Sequence, residues 1–306
     1  LRLALALKNY EVVVLVCLTF GSSACKQLDV QMPLRQKTDT SDSSDKPSSK
    51  NDRPDPAQPK DQSPDPEQNQ EKPSSNPGNV EPEPPKTFRA STFNVDYRNK
   101  NFEQISDVIN SVRADQPYIV GTQENQEPEA IAGTSSLGLT KLGKGVGDNS
   151  LYYSSDFKLV NQGQVDIDRD GHAERSLVWS VYVIGEKQVV VFNTHLPHGA
   201  ISDVPSESPA PADAHAKTAQ MLLNIWQSEF AGSAAVVLCD CNTGKVAGQS
   251  FTEALTQGTS FQLAQESGLD RVFFTKDALI EVNSGVGGFA TEEYHRVTWA
   301  EFSFKN

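Results

Sequence analysis

Apolar and polar positions alternate with period two over several short stretches, and each stretch stops at residues able to do chemistry. Val189-Val190-Val191-Phe192 runs into Asn193-Thr194-His195, and Ala234 to Leu238 runs through Cys239 into Asp240-Cys241-Asn242. Successive side chains on a strand face opposite ways. Asn193 and His195 therefore share a face, as do Asp240 and Asn242, while Thr194, Cys239 and Cys241 face the other way. Phe88 to Phe93 ends at Asn94, and Pro117 to Gln123 ends at Glu124. A later stretch, 268–274, carries Asp270 near its start, and the last strand, Arg296 to Phe304, follows His295.

Two segments carry helical spacing instead. From Asn101 to Ala114, Phe102, Ile105, Ile109 and Val112 fall on one face; from about Ala214 to Phe230, Met221, Leu222, Ile225 and Trp226 do. Strands outnumber helices and alternate with them. That pattern predicts an α/β fold of two packed β-sheets with helices outside.

The first 86 residues follow another rule. Arg2 and Lys8 precede the apolar run Val12 to Phe20, and Gly21-Ser22-Ser23-Ala24 follows, so residues 1–25 read as an export signal. The run is too short to span a bilayer. Cys25, directly after Ser23-Ala24, resembles the modified cysteine of bacterial lipoproteins, which offers a membrane tether as the alternative to plain secretion. Residues 26–86 are rich in Pro, Ser, Asp and Lys and lack aromatics, so they read as a disordered linker. Either way the expected location is secreted or extracytoplasmic.

Charge narrows the partners. The chain has formal net charge −13, and residues 87–306 hold 16 Lys and Arg against 27 Asp and Glu. Such a surface has no electrostatic footprint for nucleic acid, which weakens that substrate without excluding it, because bound cations offset the charge locally. Cys239 and Cys241 are expected as two buried free thiols. Asp166-Ile167-Asp168-Arg169-Asp170-Gly171 opens like a calcium loop, but Leu177 stands at its twelfth position, so an acidic turn is expected. No phosphate-cradling Gly-rich loop, serine elbow or zinc-spaced histidine cluster is present.

Carboxylates, imidazoles and amides at strand ends suit phosphoester hydrolysis assisted by a hard cation. Carboxylates hold Mg²⁺ through oxygen, and histidine handles protons and phosphate charge. Arg175 offers a planar donor fork to a phosphate, or an ion pair to Glu174 or Asp170.

Six short motifs in order carry a family resemblance: Thr92-Phe93-Asn94-Val95, Gly121-Thr122-Gln123-Glu124, Asn193-Thr194-His195-Leu196, Asp240-Cys241-Asn242, Leu269-Asp270-Arg271-Val272-Phe273 and Tyr294-His295. Together they make residues 87–306 resemble the endonuclease/exonuclease/phosphatase (deoxyribonuclease I-like) superfamily. The resemblance implies a four-layer α/β sandwich of two mixed sheets flanked by helices. It implies Glu124 and Asn94 as metal ligands for Mg²⁺, with Mn²⁺ or Ca²⁺ as substitutes. It implies Asp240 as the carboxylate that activates water, Asn242 as its partner, and His195 and the His295–Asp270 pair as catalytic groups. Arg175 and Asn193 are the candidate substrate contacts. The implied substrate is a phosphodiester, with extracellular nucleic acid first and a lipid or small-molecule phosphoester second; no protein partner is implied. Tyr294 stands where the family usually has Asp, which leaves a catalytically silent binding protein as the competing class.

Overall fold

The computed structural model describes residues 87–142, 149–169, 174–198, 211–242, 250–289 and 295–306, together with the backbone of three N-terminal strands. The chain divides into two units, Leu1–Ser75 and Asn76–Asn306. The first holds an antiparallel sheet of β1 (Arg2–Lys8), β2 (Glu11–Cys17) and β3 (Lys26–Leu28). The rest of the expected export signal and linker, Cys25 included, lies outside the described residues.

The second unit begins with β4 (Thr87–Asn94), α1 (Phe102–Ser111), β5 (Tyr118–Gln123), α2 (Pro128–Ala132), β6 (Thr140–Lys141) and β7 (Ser150–Tyr153). It continues through β8 (Lys158–Asp166), β9 (Ser176–Ile184), β10 (Lys187–His195), α3 (Ala214–Glu229) and β11 (Ala234–Asp240). It closes with α4 (Phe251–Thr256), β12 (Phe261–Ser267), β13 (Asp270–Thr275), β14 (Leu279–Phe289) and β15 (Arg296–Phe304). The strands form two six-stranded sheets, ordered β14-β15-β4-β5-β7-β6 and β12-β13-β11-β10-β9-β8.

Each sheet is built around one parallel pair, β4 with β5 and β10 with β11. A parallel pair needs a crossover, and α1 and α3 supply it. The paired strands are covered on both faces, so β5 and β11 are buried at every residue. The Asn101 side chain caps α1 by accepting from the Gln104 N–H at 3.2 Å, and Ile105 and Ile109 point inward from it.

Period two sorts the core into three layers. Phe88, Ala90, Ile119, Val189, Val191, Val236, Leu238, Val272 and Phe274 fill the gap between the sheets. Their sequence neighbours Val190, Phe192, Ala235, Val237 and Phe273 face outward against Leu222, Leu223, Phe251 and Leu255 of α3 and α4. On the other side Phe93, Tyr118 and Val120 pack against Ile105, Ile109 and Ile131 of α1 and α2. The result is the two packed sheets with helices outside that the pattern predicts, in the four-layer α/β sandwich that the resemblance implies. One consequence positions the site. Along β4, β5, β10, β11 and β13 the inter-sheet face is apolar at one end, then turns polar at Thr92, Asn94, Gln123, Asn193, His195, Asp240 and Asp270, all of them buried.

Candidate active site

Asp240 is the hub of this polar end. It is the last residue of β11, paired across to His195 on β10 and to Asp270 on β13. Its Oδ2 accepts from Asn94 Nδ2 at 2.8 Å and lies 3.5 Å from His195 Nε2 and 3.8 Å from His295 Nε2. Its Oδ1 accepts from the Asn242 backbone N–H at 3.2 Å. Burial works against the charged carboxylate, but the facing His195 and His295 rings and the two N–H donors outweigh it and hold the group below the usual carboxylate range.

Asn94 ties Asp240 to Glu124. Its Nδ2 also donates to Glu124 Oε1 at 3.0 Å, while its Oδ1 accepts from the Asp96 N–H at 2.9 Å. A backbone N–H can only donate, so that bond fixes the amide's orientation. Asn94 therefore presents a donor to the two carboxylates rather than the oxygen expected of a metal ligand. Glu124 follows β5 with φ 54, in the left-handed region, and that turn takes it out of the strand's alternation. Its Oε2 accepts from the Tyr97 N–H at 3.3 Å.

The two imidazoles are held differently. His195 Nδ1 meets Arg175 Nη1. A guanidinium only donates, so Nδ1 accepts and Nε2 carries the proton toward Asp240. Arg175 is buried, whereas Glu174 is exposed and lies 3.8 Å from Arg169. His295 Nδ1 lies 2.9 Å from Asp270 Oδ2, leaving Nε2 toward Asp240. Burial opposes a charged His295, yet the Asp270 hydrogen bond and the charges of Asp240, Asp270 and Glu124 push its pKa up to about 9. Burial pushes Asp270 up to about 7 despite its bond to His295, and its Oδ1 has no hydrogen-bond partner among the described residues.

Three further residues shape the site without facing it openly. Asn193 is fully buried in the inter-sheet gap. Its Nδ2 donates to the Thr122 and Ser150 carbonyls at 3.1 and 3.0 Å, and its Oδ1 accepts from Gln123 Nε2 at 2.7 Å. The amide expected to touch substrate is thus fully occupied in joining the two sheets. Gly121 makes room for it, because a Cβ there would lie 2.5 Å from Asn193 Oδ1. Asn242, with φ 38, donates from Nδ2 to the Leu196 carbonyl at 2.8 Å and pins the turn after His195. His215 on α3 holds the same turn through Pro197 O at 2.8 Å.

The cysteine expectation is corrected. Cys239 and Cys241 are joined by a disulfide rather than standing as free thiols. The chain leaves the strand after Asp240, and their Cα atoms stand 5.1 Å apart, inside the usual range for a disulfide. The bridge sits on the helix face of β11, so it brackets Asp240 without sharing its side.

Oxygen donors from Glu124 and Asp240, with His195, lie within 4.8 Å of one another, and so do donors from Asp240, Asp270 and His295. The first group has the two carboxylates a hard divalent cation needs, so the residues fit such an ion. His195 enters it with a protonated Nε2 and serves better as a donor than as a ligand. The acidic turn is partly neutralised by Lys217, 3.6 Å from Asp168, while Asp170 and Gly171 lie outside the described residues. Tyr294, Glu292 and Glu293 also lie outside them.

Of the residues singled out in the sequence, the structure brings Asn94, Glu124, Arg175, His195, Asp240, Asn242, Asp270 and His295 to one end of the sandwich. Gln123 and Gly121 stand in the quoted motif Gly121-Thr122-Gln123-Glu124, but sequence reasoning assigned neither a role of its own. It also missed Tyr97, which no periodicity marks.

No family model matches the sequence, and no curated protein matches it. Solved structures do match in shape. An endonuclease/exonuclease/phosphatase from Bacteroides vulgatus aligns over 72% of this chain and 99% of its own at TM-score 0.57 and 15% identity. The human Nocturnin catalytic domain with bound sulfate aligns over 72% and 96% at TM-score 0.52 and 16% identity. D. rerio TDP2 complexed with a single-strand DNA product aligns over 71% and 99% at TM-score 0.52 and 11% identity. With two mixed sheets in this order, the chain shares the fold of these endonuclease/exonuclease/phosphatase, Nocturnin and TDP2 structures.

Proposed function

We propose that this chain is an exported, divalent-metal-dependent phosphodiesterase that acts on nucleic acid. The observation that carries the reading is the convergence on Asp240 Oδ2 of Asn94, His195 and His295, with Glu124 one hydrogen bond further. Asp240, kept ionised by its surroundings, orients a water and takes its proton as the water oxygen attacks phosphorus. Its Oδ1 is fixed by Asn242, so the carboxylate does not rotate away. His195 offers its Nε2 proton to the phosphoryl oxygens, backed by Arg175. His295, cationic and held by Asp270, stabilises the pentacovalent phosphate and gives its proton to the leaving oxygen as the P–O bond breaks. Glu124, with Asp240, would hold a bound Mg²⁺ or Mn²⁺, which supplies charge neutralisation at the phosphate. Asn94 spaces the two carboxylates.

Export rests on the reading of residues 1–25, and the nucleic-acid substrate rests on the site chemistry together with the TDP2 complex. The net charge of −13 favours a second reading, a small or lipid phosphodiester. The test is hydrolysis of bis(p-nitrophenyl) phosphate with Mg²⁺ or Mn²⁺ and with chelator. Turnover that chelator, Glu124→Ala and His295→Ala each abolish is expected; turnover surviving all three defeats the mechanism. Plasmid nicking against cleavage of sphingomyelin then separates the two substrates.

A further inference from the structure

The loop after β4 holds a feature the hydrolytic chemistry does not use. Asp96 takes φ 58, and the Asn99 N–H closes a turn on its carbonyl at 2.8 Å. Asn94 Oδ1 anchors the start of this turn through the Asp96 N–H at 2.9 Å. Lys100 ties its far end to Glu127 at 2.8 Å, beyond the end of β5. The turn is therefore braced from both sides of Glu124.

What the turn presents is Tyr97, 50% exposed and the only aromatic among the exposed large apolar side chains of the described residues. Its backbone N–H donates to Glu124 Oε2 at 3.3 Å, so the residue that carries the ring touches the carboxylate that would hold the cation. Arg98 lies beside it, with its guanidinium carbon 5.8 Å from the ring centre. Arg98 is itself aimed by Asp96, which accepts from its Nε at 2.9 Å and its Nη2 at 2.6 Å. An aromatic face kept in water on a braced turn, with a cation at its edge, suits a planar ring that is followed by an anion. Bases in a duplex already stack on one another, whereas those of a single strand have free faces.

We infer that Tyr97 and Arg98 form the subsite for the nucleotide next to the scissile phosphate of a single-stranded nucleic acid. The base stacks on Tyr97, and Arg98 meets the following phosphate. This rests on the phosphodiesterase reading above and gives it a substrate class.

The test compares kcat/KM of the full chain on a short single-stranded oligonucleotide and on an abasic oligomer of equal length and charge, with Mg²⁺. Stacking of one base is expected to favour the base-bearing strand by roughly 5- to 150-fold. Tyr97→Ala brings that ratio near one, mainly through KM, and Tyr97→Phe restores it. Arg98→Ala flattens the salt dependence of log KM by about 0.7, one phosphate contact on a single strand. If the wild type cleaves neither oligomer, the nuclease reading fails first. If it cleaves both and Tyr97→Ala leaves the ratio as it was, or lowers both rates equally, the subsite is wrong and the hydrolase stands.

Discussion

Replacing Asn193 with alanine tests whether this residue works as a joint between the sheets or as a substrate contact. The side chain makes three hydrogen bonds across the gap, to Thr122 O, Ser150 O and Gln123 Nε2, and it is fully buried. Removing it leaves two carbonyls facing a dry space. Gln123 keeps its bond to Thr92 Oγ1 at 3.0 Å, so the loss on that side is small. Each stranded buried carbonyl costs about 1–3 kcal/mol, and the vacated volume adds to this, so we expect a loss of roughly 3–5 kcal/mol. In a domain of this size that lowers Tm by about 6–20 °C, at roughly 2–4 °C per kcal/mol. Thermal and urea denaturation followed by circular dichroism measure it. Gly121→Ala supplies the cross-check, since its new Cβ would press on Asn193 Oδ1 at 2.5 Å. That variant should lose about 1–3 kcal/mol, and the double variant should be more stable than the two losses added, because the methyl enters the vacated space. Hydrolysis by the fraction still folded should change less than tenfold, since the amide has no group left for substrate. A loss under about 1 kcal/mol for Asn193→Ala, or strict additivity in the double variant, refutes the joint.

Asp240→Asn keeps the shape and removes the proton acceptor, so kcat should drop about 100- to 10,000-fold with the far-ultraviolet spectrum unchanged. The His295–Asp270 pair sets the pH profile: Asp270 ionises near 7 and His295 keeps its proton to about 9, so activity should plateau between them. Asp270→Asn removes the negative charge that helps raise His295, and the alkaline limb of the profile should move to lower pH; an unmoved limb rejects the pairing. Both groups bind protons more tightly in the fold than their ordinary 3.8 and 6.5, so the cation-free protein should lose stability as pH rises through 7 and then 9. Alkylation in denaturant without reductant should leave Cys239 and Cys241 unlabelled, and labelling of either contradicts the disulfide.

Much of this was legible because a single rule, alternation along a strand, governs both packing and chemistry. Val189 and Val191 face the other sheet, so Asn193 and His195 must as well, and the same count carries Val236 and Leu238 into Asp240. Four things escaped the rule. Whether a residue on the correct face touches substrate or the opposite sheet depends on the distance between sheets, which no single strand encodes; Asn193 was misjudged for that reason. Cys239 and Cys241 form a bridge because the chain bends after Asp240, and alternation assumes no bend. Glu124 and Tyr97 stand beyond the end of a strand, where a left-handed turn, rather than parity, decides direction. The Asn94 amide orientation is set by the backbone of Asp96, two residues on, and so depends on the loop.

Among the described residues, four other than glycine take positive φ, and three of them, Asp96, Glu124 and Asn242, surround one carboxylate cluster. Such backbones cost of order 1–3 kcal/mol each, least for Asp and Asn and most for Glu. Natural drift toward heat tolerance, with nothing demanded of the catalyst, would replace them with glycine one at a time. On the proposed function, a lineage that abandoned hydrolysis should therefore show its retirement first at these three bends, before any histidine is lost.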